Sequence, residues 1–273
     1  MKGFLRFVAA WRLALRIVAL NFRAALEYRG ELLVNICLGI AWQTSVIVFV
    51  TVLLGRFNGV GHWPARVVML IAGVRTLSHG LYAIAFDRHF QLSTLVQEGR
   101  FDAFLFRPMP VYRQVQLASF PMNAIGDLCV GVAMFWLAIA RADMSWSLGR
   151  VGYLCAAVIG CTLMEAAILN VFSSFQLQAP SASNWGIWLE ELIGIFGIYP
   201  LSILPGIARI GFTYVLPLAF TAYLPAAVVA GRTSGLGVPA IVATCAPVVG
   251  LLTFLASRLI WNWRLSRYTG VNG

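Results

Sequence analysis

Lysine is almost absent from this chain of 273 residues, with Lys2 the only one. A phosphate-cradling P-loop needs a lysine after its glycines, so the chain cannot be its own ATPase. A Schiff-base lysine in a membrane pocket is excluded with it. Histidine is nearly as scarce: His62, His79 and His89 fall in an outer loop, within an apolar stretch and at an inner interface. That spacing offers no HExxH and no other close metal pair, so metalloprotease and metal-dependent lipid chemistry are unsupported. The Gly-x-Ser-x-Gly turn of a serine hydrolase is missing as well. Cysteine is odd in number and carries no metal-type spacing. Cys37, Cys129, Cys155, Cys161 and Cys245 all lie in apolar stretches, where they read as inert packing residues.

Charge is the scarcest commodity of all. Charged residues make up 11% of the chain and hydrophobic ones 60%, whereas a soluble domain carries roughly 25% charged residues. Five apolar stretches, Leu32 to Leu54, Val67 to Phe86, Phe120 to Ala140, Val151 to Phe172 and Pro239 to Ile260, hold few charges or none, and a sixth begins near Trp185. Each approaches the roughly 20 residues that a helix rising about 1.5 Å per residue needs to cross about 30 Å of hydrocarbon. Lipid offers the backbone no hydrogen-bond partners, so the spans must be helical.

The net charge of +10 would suit a nucleic-acid binder, but its distribution argues against one. Lys2, Arg6, Arg12, Arg16, Arg23 and Arg29 precede the first span; Arg88, Arg100, Arg107 and Arg113 lie between the second and third; Arg258, Arg264 and Arg267 close the chain. The positive-inside rule puts all of these in the cytoplasm, which requires an even number of spans and both termini inside. Arg56, Arg66, Arg141, Arg150, Arg209 and Arg232 remain outside, and Arg75 is left within a span. At 100° per residue Lys2, Arg12, Arg16, Arg23 and, at the edge, Arg6 fall within about a 120° arc, while Phe4, Trp11, Leu15, Val18, Phe22 and Leu26 lie mostly elsewhere. That pattern predicts an amphipathic helix in the headgroup layer, its arginines toward anionic lipid. The same arginines interrupt any signal-peptide core.

Between the spans, Gly55 to Ala65 and Arg141 to Leu148 are short outer turns, and Asp87 to Gln116 is the largest polar stretch, on the inner side. After Gln176 to Asn184 the chain stays apolar to Ala230, too long for one span, and Pro200, Pro205, Pro217 and Pro225 punctuate it. Proline removes a helical hydrogen bond and clashes with the preceding turn. A proline-broken, partly re-entrant outer element is therefore expected; a seventh span from Ile207 to Ala230 would put the basic C-terminus outside. The expected fold is an all-α integral membrane protein, one transmembrane domain over residues 1–273. Residues 1–29 form the interfacial helix, 30–263 six transmembrane helices with a re-entrant outer element before the last, and 264–273 a cytoplasmic tail.

The inner stretch Leu95-Val-Gln-Glu-Gly-Arg-Phe-Asp-Ala-Phe-Leu-Phe-Arg-Pro-Met-Pro110 resembles the loop between the second and third spans of type-2 ABC exporter permeases. Glu98, Gly99, Asp102, Leu105, Arg107 and Pro108 occupy the family's acidic, glycine, acidic, aliphatic and basic-proline places. Tyr199-Pro-Leu-Ser-Ile-Leu-Pro205, with Ser202 at its centre, followed by Pro217 and Tyr223-Leu-Pro225, is similar to the family's re-entrant outer element. Trp263-Arg-Leu-Ser-Arg-Tyr-Thr-Gly270 resembles the tail of a bacterial branch whose permeases work in pairs. Glu190 and Glu191, set five residues into the fifth span, depart from the pattern and read as marking the inner interface. The resemblance implies a subunit of the bacterial inner membrane that pairs with a second permease chain, identical or related. It also implies two copies of a separate ATPase, which would hold ATP and magnesium; this chain would bind no cofactor. Coupling to that ATPase would run through Glu98, Gly99, Arg100, Phe101, Asp102, Phe104, Leu105, Arg107 and Pro108. Phe101, Phe104 and Phe106 would form an apolar ridge on a short helix, with Asp102 favouring the dipole at its start.

Within the spans, Arg75 and His79 share a helix face. Asp127 and Glu165 lie roughly 10 Å from the inner interface at about 1.5 Å per residue. A charge in hydrocarbon costs at least about 2.5 to 3.5 kcal/mol, so these groups should pair or face water. Arg75 can pair with Asp127 or Glu165, either as an inter-helix brace or as lining of a substrate path. A self-contained secondary carrier using Arg75, Asp127 and Glu165 is the alternative.

Overall fold

The computed structural model of the chain describes residues 2–57, 59–60, 62–88, 90–179 and 183–270. His89, assigned above to the inner interface, lies outside the described residues. Two long helices open the fold, α1 (Lys2–Glu27) and α2 (Arg29–Phe57), separated at Tyr28. A two-residue antiparallel hairpin follows, β1 (Gly59–Val60) with β2 (Trp63–Pro64). Then come α3 (Ala65–Phe86) and three short helices, α4 (Phe90–Gln97), α5 (Asp102–Leu105) and α6 (Val111–Gln116). The chain continues with α7 (Met122–Ala140), α8 (Leu148–Gln176), α9 (Ser183–Phe196), α10 (Gly206–Ile210), α11 (Tyr223–Val229), α12 (Ala240–Thr244) and α13 (Ala246–Leu265).

Sequence chemistry sets many of these starts. Pro64, Pro110, Pro121, Pro205 and Pro239 stand just before α3, α6, α7, α10 and α12, and Pro247 occupies the first turn of α13. Proline's fixed φ and missing donor cost nothing there. The Ser147 side chain caps α8 by accepting from the Arg150 amide at 3.3 Å.

The long helices stand in the order α2, α7, α3, α8, α13, each packed on the next. Among the described residues α2, α3, α7 and α8 are long and apolar enough to cross a membrane. The described shares differ in a telling way: 78% of the span containing α3 is buried against protein, against 17% of α2. Helix α3 is thus the hub, and α2 turns its Leu33, Leu38, Trp42, Phe49 and Val52 outward. Glycine makes the close crossings. A Cβ on Gly39 or Gly126 would strike the facing backbone of α7 or α2, one on Gly131 would meet α3 at Thr76, and one on Gly250 would collide with the Gly160 carbonyl of α8. In lipid, where apolar burial between helices gains little, such small-residue contacts let dispersion hold helices together.

Two ends can be told apart. The basal end carries α4 to α6, the start of α7, the end of α8 and the end of α13. At this end the Asn21 amide of α1 donates to the Leu117 carbonyl at 2.8 Å, and Phe22 meets Phe120 edge-on. The apical end carries the hairpin and the proline-rich segment. That segment is broken as its prolines require: α10 runs into a π turn at Gly211–Val215, the chain bends by 73° around Pro217, and a 3₁₀ turn at Leu218–Phe220 leads into α11. Helix α11 packs on α3 and α8. Glu190 is half-buried and Glu191 exposed, seven and eight residues into α9.

The α8–α13 crossing makes a direct test. Gly250→Ala should destabilise the protein by about 1–3 kcal/mol through overpacking, whereas Gly152→Ala on α8, where an added Cβ meets nothing within 4 Å, should not. Thermal unfolding in detergent reads both, and equal melting of the two variants would refute the close crossing.

Candidate functional site

Three clusters of the sequence-derived residues are brought together, at different depths. The deepest is an ion cluster between α3 and α8. The Arg75 guanidinium binds Glu165 in bidentate fashion, Nη1 to Oε2 and Nη2 to Oε1, each at 2.9 Å. His79, one turn along α3, places Nδ1 2.9 Å from Glu165 Oε1. The side chains of Arg75 and Glu165 are 3% and 1% exposed. A planar fork matched to a carboxylate is the strongest form of such a pair. Gly197, next to α9, leaves the room that the Arg75 side chain takes, since a Cβ there would come within 2.8 Å of Nε. Asp127, the other candidate partner, is buried on α7 and makes no ion pair with Arg75. Nearby hydroxyls stitch the same two helices: Thr162 donates to the Ser78 carbonyl at 3.1 Å and Ser78 to the Val158 carbonyl at 3.3 Å.

The basal cluster is built on a turn that needs glycine. Gly99 has φ +70°, a conformation that costs other residues strain. There the chain leaves α4, with the Phe101 amide reaching back to the Leu95 carbonyl at 2.9 Å. This reversal divides the expected apolar ridge. Phe101 is fully buried and Phe104 nearly so, in a small core with Leu92, Leu95, Val96, Tyr112, Val115, Leu177 and Trp261. Phe106, by contrast, is 88% exposed, beside exposed Leu105. The outward surface is therefore Leu105, Phe106, Arg107 and Pro108, flanked by the exposed Glu98–Arg100 pair at 3.0 Å. Gln114 ties the loop down by donating to the carbonyls of Phe104 at 2.8 Å and Met109 at 2.7 Å. A cleft of about 770 Å³ opens between this loop and α1, lined by Leu13, Ile17, Thr94, Arg107 and Met109 among others.

The tail of the chain closes the basal cluster. The Tyr268 hydroxyl donates to Asp102 Oδ1 at 2.8 Å, and its ring meets Phe101 edge-on at 5.0 Å. Burial, the bond to Asp102 and that carboxylate's charge push the Tyr268 phenol up to about 12, so it remains a donor at neutral pH. Trp261 meets the Tyr112 ring at 5.3 Å, and the Arg258 guanidinium lies over the same ring. The sequence reading missed Tyr112, Gln114, Arg258, Trp261 and Tyr268. Its one signal was the resemblance of the tail.

At the apical end Trp63 Nε1 donates to Ser202 Oγ at 2.8 Å, and the Trp63 ring meets Tyr223 at 5.5 Å. The hairpin thereby rests on the broken element. Pro200 precedes a 3₁₀ turn holding Ser202, Pro205 precedes α10, Pro217 stands at the bend and Pro225 lies in the first turn of α11.

Removing one member of the ion pair isolates the other. Arg75→Ala should cost about 3–5 kcal/mol by leaving Glu165 charged and buried, while Arg75→Met with Glu165→Leu should recover most of the loss. Thermal unfolding of both variants in detergent checks this, and an Arg75→Ala protein as stable as the parent would rule out a bracing pair.

Among the described residues no group of three histidines, cysteines or acids could hold a metal ion. Comparison with known proteins returns one family: the model described as ABC-2 family transporter protein matches residues 40–272. No curated protein and no solved structure matches the chain. The match takes in every span-length helix after the start of α2, the basal loop, the broken apical element and the tail. On that evidence the chain belongs to the ABC-2 family of transporter proteins and is a multi-pass membrane component of an ABC transporter.

Proposed function

We propose that this chain is the permease subunit of an ATP-driven exporter of the bacterial inner membrane, powered by two copies of a separate ATPase and paired with a second permease chain, identical or related. In this reading the six spans are α2, α3, α7, α8, the α9 segment and α12 with α13, with α10 and α11 as the re-entrant outer element. The basal end then faces the cytoplasm together with both termini, and α1 lies in the headgroup layer with its apolar face in lipid. ATP and magnesium bind the partner, and its closure pushes on the basal loop so that the spans open outward by alternating access.

The observation that carries this reading is the basal loop. Its inner face is packed on the ends of α8 and α13, while Leu105 and Phe106, 46% and 88% exposed, stand on the other face beside Arg107. A large apolar side chain held out by a rigid support is what an ATPase groove can grip. Phe101 and Phe104 support that contact from behind. The ion cluster fits a brace better than a substrate path, because Arg75 and Glu165 close on one another away from solvent. For the same reason a self-contained carrier built on Arg75, Asp127 and Glu165 has less support, since Arg75 pairs with Glu165 and not with Asp127.

Purification of the tagged permease from its native membrane tests the assignment. An ATPase should copurify. Phe106→Ala with Leu105→Ala should weaken that association at least about tenfold, as loss of a hot-spot contact does, without lowering the permease's melting temperature. Phe101→Ala should instead cost about 3–5 kcal/mol of folding stability. A permease reconstituted alone that transports fully on an ion gradient would overturn the assignment.

A further inference from the structure

The ends of this chain's last helix and of its basal loop meet in a way that the exporter reading does not require. We propose that the C-terminal tail latches the coupling segment α5 to α13, so that the two move as one body and α13 is the arm that carries motion from the basal loop into the membrane. The inference rests on the exporter reading for the direction of the motion, but the latch itself does not.

Two sets of contacts make the latch, one at Asp102 and Phe101 and one at Tyr112. Tyr268 donates to Asp102 Oδ1 at 2.8 Å and packs its ring on Phe101. Gly270, at φ +83°, turns the tail beside the same carboxylate. One helical level up, Trp261 and Arg258 of α13 hold Tyr112 of α6 from its edge and its face. The loop is thus held by the tail on one side of the exposed Leu105–Phe106 surface and by α13 on the other. The amide of Gln114 closes that surface onto α6 through Phe104 and Met109.

From α13 the path inward is short and stiff. Gly160 and Gly250 let α13 lie directly on α8, and Asn170 of α8 donates to Ser257 of α13 at 3.3 Å. Helix α8 carries Glu165, which grips Arg75 and His79 of α3. A push on Phe106 therefore has a continuous packed route to the hub helix. This route runs through the last helix, beside the direct packing of α4 on α8. Each step along it has few alternative packings, which is what transmits a displacement rather than absorbing it.

Hydrogen–deuterium exchange of the purified permease in nanodiscs tests the latch. In the parent protein the amides of 101–106 and of 261–268 should exchange as one cooperative unit. Tyr268→Phe and Asp102→Asn should each raise exchange in both segments by about tenfold, the effect of one lost charge-assisted hydrogen bond. The double variant should rise no further than either alone, as coupled partners do. Trp261 and Tyr112 keep the segment folded in these variants, so protection elsewhere should be unchanged. Additive effects, or a change confined to one segment, would overturn the latch. In a complex with a copurified ATPase, ATP with magnesium should alter protection of both segments in the parent and of 101–106 alone when Tyr268→Phe is combined with Tyr112→Leu, which removes both grips. An unaltered response of 261–268 in that variant would overturn the role of α13 as the arm. Should no ATPase copurify, the exporter reading fails while the exchange cycle still decides the latch.

Discussion

At the middle of α3 a guanidinium has to be accommodated with no water to share. Arg75 lies ten residues from the start of a 22-residue helix, about 15 Å along its axis, where a charge is costly and its partner must come from another helix. Glu165 supplies both oxygens, and this requirement fixes the register of α8 against α3. A slip of one residue would swing the carboxylate by about 100° and leave two unpaired charges buried. Among the glycines, Gly197 is the one that serves the pair, clearing the space that the Arg75 side chain takes, while the glycines of the helix crossings join α2 to α7, α7 to α3 and α8 to α13. The hydroxyls of Ser78 and Thr162 add bonds that hold the same register at lower cost.

Around that fixed pair the two ends of the molecule solve opposite problems. The apical end has polar backbone to satisfy after its prolines break the helix, and it does so locally, with a π turn, a 3₁₀ turn and the Thr213 and Thr221 hydroxyls donating to the carbonyls of Arg209 and Leu218. The basal end has short helices that could not stand alone, since α5 has four residues and α6 six, far below what is stable in isolation. Their stability comes from a separate small core assembled from four distant stretches of the chain, in which Phe101 and Trp261 are fully buried. Rigidity there is tertiary, so it depends on contacts that the local sequence does not display.

That difference explains what could be read in advance. Long apolar runs bounded by arginine are one-dimensional signals, so α2, α3, α7 and α8 were visible from hydropathy, and the proline-broken element from its punctuation. The pair Arg75 and His79 was visible because four residues on a helix make one face. The partner was narrowed to Asp127 or Glu165 and no further, because depth along a helix is readable while rotation about its axis, for a helix as uniformly apolar as α8, is not. The basal loop shows the sharper limit. Phe101, Phe104 and Phe106 are chemically alike and close in sequence, and a ridge was the natural expectation. Only the left-handed turn at Gly99 and the presence of Trp261 and Tyr268, more than 150 residues away, send two of them inward and one outward.

The outward Phe106 and the inward Phe101 together give the loop its mechanical character. An exposed aromatic on a flexible loop would lose much of its contact energy to ordering when it docked, because each immobilised residue costs on the order of 1–2 kcal/mol. Here the ordering is already done by the core behind it. The same core that pre-forms the contact also ties it to α13 and α8, so force applied at Phe106 cannot be dissipated in local rearrangement without breaking buried aromatic contacts. Preorganisation for binding and stiffness for transmission are therefore one property of this segment, and both arise from burying the two phenylalanines that the sequence presents beside the exposed one.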